Sequence, residues 1–199
     1  MTESLTFYAN PMSRARIVRW MLEEVGEPYE TVVLDYGSTM KSPEYLAINP
    51  MGKVPAIRYG DTIVTEGAAI CAFLADMFPD RGLAPPSGNP KRGPYYRWLF
   101  FAAGPVEAAV TAKSLGLLAP ADKKTMAGYG TFEETIDCLE TAIKDGPYIC
   151  GEQFTAADVY VGSQIGWGMM FGSIDKRPAF TDYFERISSR PAAVRAREI

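Results

Sequence analysis

At 199 residues, 47% of them apolar and 22% charged, the chain has material for a buried core and room for one large domain or two small ones. A formal net charge of -4 gives no electrostatic reason to expect nucleic acid or a membrane surface as a partner. Histidine is absent, which excludes Ser-His-Asp and Cys-His catalysis and histidine-bound metals, and leaves hydroxyls, amides, carboxylates, backbone dipoles or a borrowed cofactor. Cys71, Cys138 and Cys150 are odd in number and outside any CxxC, the pattern of reduced core residues in a cytoplasmic protein rather than a disulfide framework or zinc site. No charged leader precedes an apolar stretch, and no apolar run approaches the ~20 residues of a membrane span.

In chain order, the apolar-aromatic residues 4–9 predict a first strand. From Ser13, the residues Ile17, Met21, Leu22 and Val25 recur at helical spacing, with Arg14, Arg16, Arg19 and Glu23 largely on the opposite face, and Gly26 and Pro28 stop the helix. The β-branched residues 29–35 predict a second strand. A short helix is predicted to start at Ser42-Pro43-Glu44, an N-cap serine followed by proline. Residues 54–58 and 61–65 form a hairpin around Tyr59-Gly60, and residues 66–78 a helix rich in alanine, isoleucine and leucine. Strand-helix-strand followed by strand-strand-helix is the order of a thioredoxin-like α/β domain with a mixed sheet.

Residues 79–94 hold five prolines and read as a linker. Beyond them no strand is evident, and residues 95–118, 123–144, 155–171 and 178–196 predict helices. The expected organisation is an α/β domain over 1–80, a linker over 81–91 and an all-α domain over 92–199.

Four segments then resemble one family, the glutathione S-transferases. Asn49-Pro50-Met51-Gly52-Lys53-Val54-Pro55 is similar to the family's N-P-x-G-K-V-P segment. Glu66-Gly67-Ala68-Ala69-Ile70, with Phe73-Leu74 after it, resembles the E-S-x-A-I-x-x-Y-L helix start. Gly151 to Asp158 resembles G-x-x-F-S-x-A-D, and Arg186 to Arg195 resembles R-x-x-x-R-P-A. The four occur in order and span essentially the whole chain. The resemblance implies the cytosolic glutathione transferase architecture, glutathione as co-substrate with no metal, a homodimer, and a role in detoxification.

It also implies site residues. A cis bond before Pro55 would leave the backbone of Val54 to pair with the cysteinyl part of glutathione. Glu66 and Gly67, where a strand meets a helix N-terminus, would take the γ-glutamyl carboxylate. The family's serine is Gly67 here, so one hydroxyl donor is missing while backbone N–H donation remains. Lys53 would meet the glycyl carboxylate, with a solvated turn lysine as the alternative. Thr155 and Asp158 form a capping arrangement to which no chemistry is assigned.

The family makes the glutathione thiol a thiolate, so a donor is required just after the first strand. Three groups compete: Ser13 in the first helical turn, Asn10 four residues before Arg14, and Tyr8, which strand alternation could equally bury. No cysteine occupies this loop, which argues against mixed-disulfide chemistry. The small-molecule electrophile would meet the helical domain, whose first helix carries Tyr95, Tyr96, Trp98, Phe100 and Phe101 before a bend at Gly104-Pro105; core packing is the alternative for most of these, as for Trp167, Met169, Met170 and Phe171. The expected activity is thiolate attack on an apolar electrophile, with peroxide reduction as a further outlet. The competing reading is a non-catalytic binding or regulatory protein on the same fold.

Overall fold

The computed structural model describes residues 3–198. The chain divides into two compact units: one runs to Leu83 and takes in the segment from Arg190 onward, and the other is Ala84–Ser189.

The first unit is built on a sheet of β1 (Leu5–Ala9), β2 (Glu30–Val33), β3 (Ala56–Tyr59) and β4 (Thr62–Thr65) in the order β2-β1-β3-β4. Helix α1 (Ala15–Val25) joins the parallel pair β1 and β2, while β3 pairs antiparallel with both β1 and β4. This is the predicted thioredoxin-like mixed sheet. In β1 the buried Leu5, Phe7 and Ala9 alternate with the half-buried Thr6 and Tyr8, because strand side chains point to opposite faces and both are covered. Ile17, Val18, Met21 and Leu22 of α1 are buried, as are Ile70 and Leu74 of α3 (Gly67–Met77), the helix packed beside it. A second cluster holds Leu34, Met40, Tyr45 and Ala56, with Tyr8, Ile48 and Val54 against it. Tyr45 comes from the one-turn helix α2 (Pro43–Leu46), whose predicted cap forms when Ser42 Oγ accepts the Tyr45 N–H at 3.4 Å.

The predicted helix over 178–196 is instead two helices, α8 (Pro178–Ser188) and α9 (Pro191–Arg195). Pro191 is responsible: it has no N–H to continue the ladder, and it forces Arg190 to an extended φ of -59° and ψ of 140°. The break returns α9 to α1 of the first unit. There the Arg190 guanidinium donates two bonds of 2.7 Å to Glu24, which also accepts from Trp20 Nε1 at 3.0 Å. Arg195 Nε donates to Glu23 at 2.9 Å, and Tyr29 Oη donates to the same carboxylate at 2.9 Å.

The second unit is helical: α4 (Arg92–Phe101), α5 (Glu107–Ser114), α6 (Phe132–Lys144), α7 (Ala156–Phe171) and α8. The expected bend at Gly104-Pro105 takes the form of a π-helical turn over 102–106 between α4 and α5, which absorbs the missing proline N–H. The helix predicted over 123–144 starts only at Phe132. Gly130 ahead of it is left-handed at φ 67°, and Thr131 with Glu134 closes a capping box of two 3.1 Å bonds. Helix α7 is buried along nearly its whole length. At its far end a Cβ on Gly168 would lie 2.5 Å from Ile174 Cδ1 and 2.8 Å from its Cβ, so only glycine admits this approach. The predicted Thr155–Asp158 cap is present. The fully buried Asp158 carboxylate accepts from the Thr155 N–H, the Ile149 N–H and Tyr183 Oη, each at 2.8 Å.

Candidate functional site

The sheet register brings the predicted residues to one end of the first unit. Tyr8 pairs with Ala56, and Ala56 with Thr65. Asn10 and Gly67, each two residues past a strand's antiparallel-paired end, and Val54, two residues before β3, lie where β1, β3 and β4 leave the same end of the sheet, and strand order sets them in a row with Val54 between. Helices α1 and α3 both start beside this row, so their positive dipole ends are gathered there.

At the middle of the row the Val54–Pro55 bond is cis, as expected, and Pro55 is buried. Neither the N–H nor the C=O of Val54 bonds to a described residue. The carbonyl just before it, that of Lys53, accepts from Tyr45 Oη at 2.6 Å and from Asn49 Nδ2 at 2.8 Å. Burial pushes the Tyr45 hydroxyl up to about 12, so it remains a protonated donor throughout the neutral range. The Lys53 side chain points to solvent.

At one end of the row Glu66 has φ 66° and ψ 117°, and among the described residues it is the one non-glycine with positive φ. Its carbonyl accepts the Ile70 N–H at 2.9 Å, the first bond of α3, while the N–H groups of Gly67, Ala68 and Ala69 meet no described acceptor. An outlier of this kind costs about 1–3 kcal/mol and persists only where the surroundings impose it. Here it turns the chain so that three open N–H groups face one end of the sheet.

At the other end lie the three candidate donors. Asn10 is buried; its Nδ2 donates to the Leu34 carbonyl at 2.8 Å and its Oδ1 accepts the Met12 N–H at 2.9 Å. Ser13 is half-buried; its hydroxyl donates to the Asn10 carbonyl at 2.7 Å and accepts the Ala15 N–H at 3.1 Å, while its own N–H is open. Tyr8 is half-buried against the Tyr45 ring at 5.6 Å between centroids, and its hydroxyl meets no described partner. The three are thus neighbours on one loop and strand but in different states: one amide tied into the fold, one hydroxyl in a local chain, one phenol free.

No cysteine joins them. Cys71 is fully buried in α3 and Cys150 belongs to the second unit, and burial pushes both thiols up, away from reactivity. Among the described residues no cluster of acidic and cysteine side chains is placed to hold a metal ion, and no helix is long and apolar enough to cross a membrane. The sequence reading overlooked Tyr45, Asn49 and the Leu34 carbonyl. A signal was available for Asn49: Asn-Pro-Met occurs at both 10–12 and 49–51.

In the second unit the aromatic helix divides. Tyr95 and Trp98 are buried, whereas Tyr96 and Phe100 are 37% and 72% exposed, so only part of that side-chain set remains for a ligand. Met170 and Phe171 at the end of α7 are exposed as well.

Residues 11–77 match the family model for the glutathione S-transferase N-terminal domain, and residues 107–186 that for the glutathione S-transferase C-terminal domain. Glutathione S-transferase GstA of Escherichia coli O157:H7 is 29% identical over 174 residues, covering 85% of this chain and 86% of its own. A glutathione transferase from Methylococcus capsulatus strain Bath has a TM-score of 0.81 at 30% identity, over 98% of this chain and 97% of that one. A sphingomonad glutathione S-transferase complexed with glutathione has a TM-score of 0.78 at 28% identity, over 97% of each chain. Both domain models, in sequence order, and near full-length likeness to solved transferases agree with the mixed sheet and helical unit: the chain belongs to the glutathione S-transferase family, a family of enzymes.

Proposed function

We propose that this chain binds glutathione across the end of its sheet and stabilises the thiolate with the Ser13 hydroxyl. The observation that carries this is the set of unpaired backbone groups where the strands leave one end of the sheet, at Val54 and in the first turn of α3, the same end at which β1 runs into the loop that bears Ser13. Val54 pairs with the cysteinyl main chain, Glu66 and the Gly67 N–H receive the γ-glutamyl group, and Lys53 meets the glycyl carboxylate. The Ser13 hydroxyl hydrogen rotates from the Asn10 carbonyl to the sulfur, while the Ala15 N–H keeps its oxygen polarised. The thiol proton leaves to solvent, and the thiolate forms a C–S bond to a small apolar electrophile as the leaving group departs. With a peroxide instead, the thiolate attacks the O–O bond and a second glutathione completes the reduction. We assign the protein to cytoplasmic detoxification as a homodimer.

A hydrogen bond to a charged group contributes about 1.5–3 kcal/mol, so removing it shifts the thiolate midpoint by about one to two pH units. Ser13→Ala, Asn10→Ala and Tyr8→Phe are compared by the ultraviolet absorbance of bound thiolate against pH. The Ser13 variant is expected to show a clear upward shift. If Tyr8→Phe alone moves the midpoint, the free phenol is the donor and the Ser13 assignment is wrong.

A further inference from the structure

Asn-Pro-Met occurs twice in this chain, and both copies fold into the same device. In each, the asparagine is buried, at 9% and 5% exposure. In each, Oδ1 accepts the N–H of the methionine two residues on, at 2.9 Å for Met12 and 3.1 Å for Met51. In each, Nδ2 reaches at 2.8 Å to a backbone carbonyl, that of Leu34 for Asn10 and that of Lys53 for Asn49. The intervening proline fixes φ and has no N–H to compete, so the side chain closes the turn that the backbone cannot.

The two carbonyls differ in what they control. The Lys53–Val54 peptide is trans and planar, so its C=O and N–H point in opposite directions. Two donors, Asn49 Nδ2 and Tyr45 Oη, hold the Lys53 oxygen and thereby aim the open Val54 N–H. Leu34 instead ties the other turn to β2: its N–H bonds to the Ala9 carbonyl at 2.8 Å, and its carbonyl takes the Asn10 amide. That double hold, with the Met12 N–H bond to Asn10 Oδ1, fixes the turn that carries Ser13, whose hydroxyl rests on the Asn10 carbonyl until it turns to the sulfur.

From this we infer that Asn10 and Asn49 are positioning residues with separate effects: Asn10 holds the turn that presents Ser13 and so sets the acidity of bound thiol, while Asn49 sets the Val54 peptide and so the affinity for glutathione. Neither touches the sulfur. The inference rests on the site proposed above, and deepens it by separating activation from binding within a repeated motif.

The test uses the full-length protein carrying Asn10→Ala, Asn49→Ala, Asn10→Asp or Asn49→Ser, with Ser13→Ala as reference. Each is measured for the pH midpoint of bound thiolate and for KM for glutathione. Asn10→Ala is expected to raise the midpoint by about one unit with KM nearly unchanged. Asn49→Ala is expected to raise KM about tenfold, the loss of one hydrogen bond, with the midpoint unchanged. Asn49→Ser, with a shorter donor and acceptor, should recover part of the affinity. Asn10→Asp keeps the Met12 turn and lacks the donor to Leu34, so it reports on the midpoint should the alanine variant not fold. Identical signatures from the two alanine variants would overturn the division of roles. So would a midpoint moved by Ser13→Ala but by neither Asn10 variant, which leaves the site reading intact. A midpoint indifferent to Ser13→Ala overturns the site reading and the Asn10 role with it.

Discussion

Glu66 offers a direct measure of what the site demands of the fold. Its φ of 66° and ψ of 117° cost about 1–3 kcal/mol for a residue with a Cβ. Its side chain is exposed and its carboxylate meets no described partner, so replacing it with glycine removes no contact. Glycine relieves the strain and adds back about 0.5–1 kcal/mol of unfolded-chain entropy. The balance predicts that Glu66→Gly is more stable by about 0–2.5 kcal/mol, with about 1 as the central value and a rise in Tm of about 2–4 °C for a protein of this size. The same change removes a group assigned to the γ-glutamyl end, so glutathione affinity should fall. Urea denaturation and isothermal titration on one preparation read both quantities. A loss of stability exceeding 1 kcal/mol would refute the argument, because it would mean that the Glu66 side chain supports the fold rather than the ligand.

Other consequences concern packing and ion pairs inside each unit taken by itself. Gly168→Ala should destabilise by about 1–3 kcal/mol, read as a lower urea midpoint, because its Cβ would stand 2.8 Å from that of Ile174. Asp158→Asn should lower stability by about 1–3 kcal/mol, since an amide cannot accept from all of the Thr155 N–H, Ile149 N–H and Tyr183 hydroxyl; an unchanged chemical denaturation curve would contradict this. For Glu23, burial alone would raise the pKa, but the bonds from Arg195 and Tyr29 and the Arg19 charge bring it below its usual 4.5. Its contribution is therefore present above that value and lost as pH falls through the folded pKa. Glu23→Gln should flatten the acid limb of a stability–pH curve, and a limb as steep as the wild type's would count against the pairing.

Periodicity made the framework legible. The 3.6-residue spacing of Ile17, Met21, Leu22 and Val25 is α1 as found, and Ser42-Pro43 caps α2 as expected. Helical boundaries in the second unit were read less well, where local devices overrode propensity: Gly130 with the Thr131–Glu134 box delays α6, and Pro191 splits the last helix. The backbone half of the site could be placed because Val54-Pro55 and Glu66-Gly67 carry their constraints in adjacent residues. The state of the donors could not. Whether the Asn10 amide is engaged depends on Leu34, which is 24 residues beyond it and brought near only by the closing of β1 against β2. Likewise, whether Tyr96 or Tyr95 reaches solvent is decided by packing, which spacing alone does not fix.

The return of α9 to α1 makes the second unit an insertion, in topological terms, within the first. Glu24, with its side chain only 5% exposed, finds its guanidinium partner 166 residues later in the chain. During synthesis the sheet and its three helices emerge early, carrying Glu23 and Glu24 before the guanidinium groups of Arg195 and Arg190 that bond them are made. The whole of Ala84–Ser189 must be translated before Arg190 and Arg195 arrive to close the first unit. Residues from Arg190 onward thus complete a unit whose sheet is made long before them, so a nascent chain halted before residue 190 holds a thioredoxin-like half in which Glu23 and Glu24 lack these two guanidinium partners.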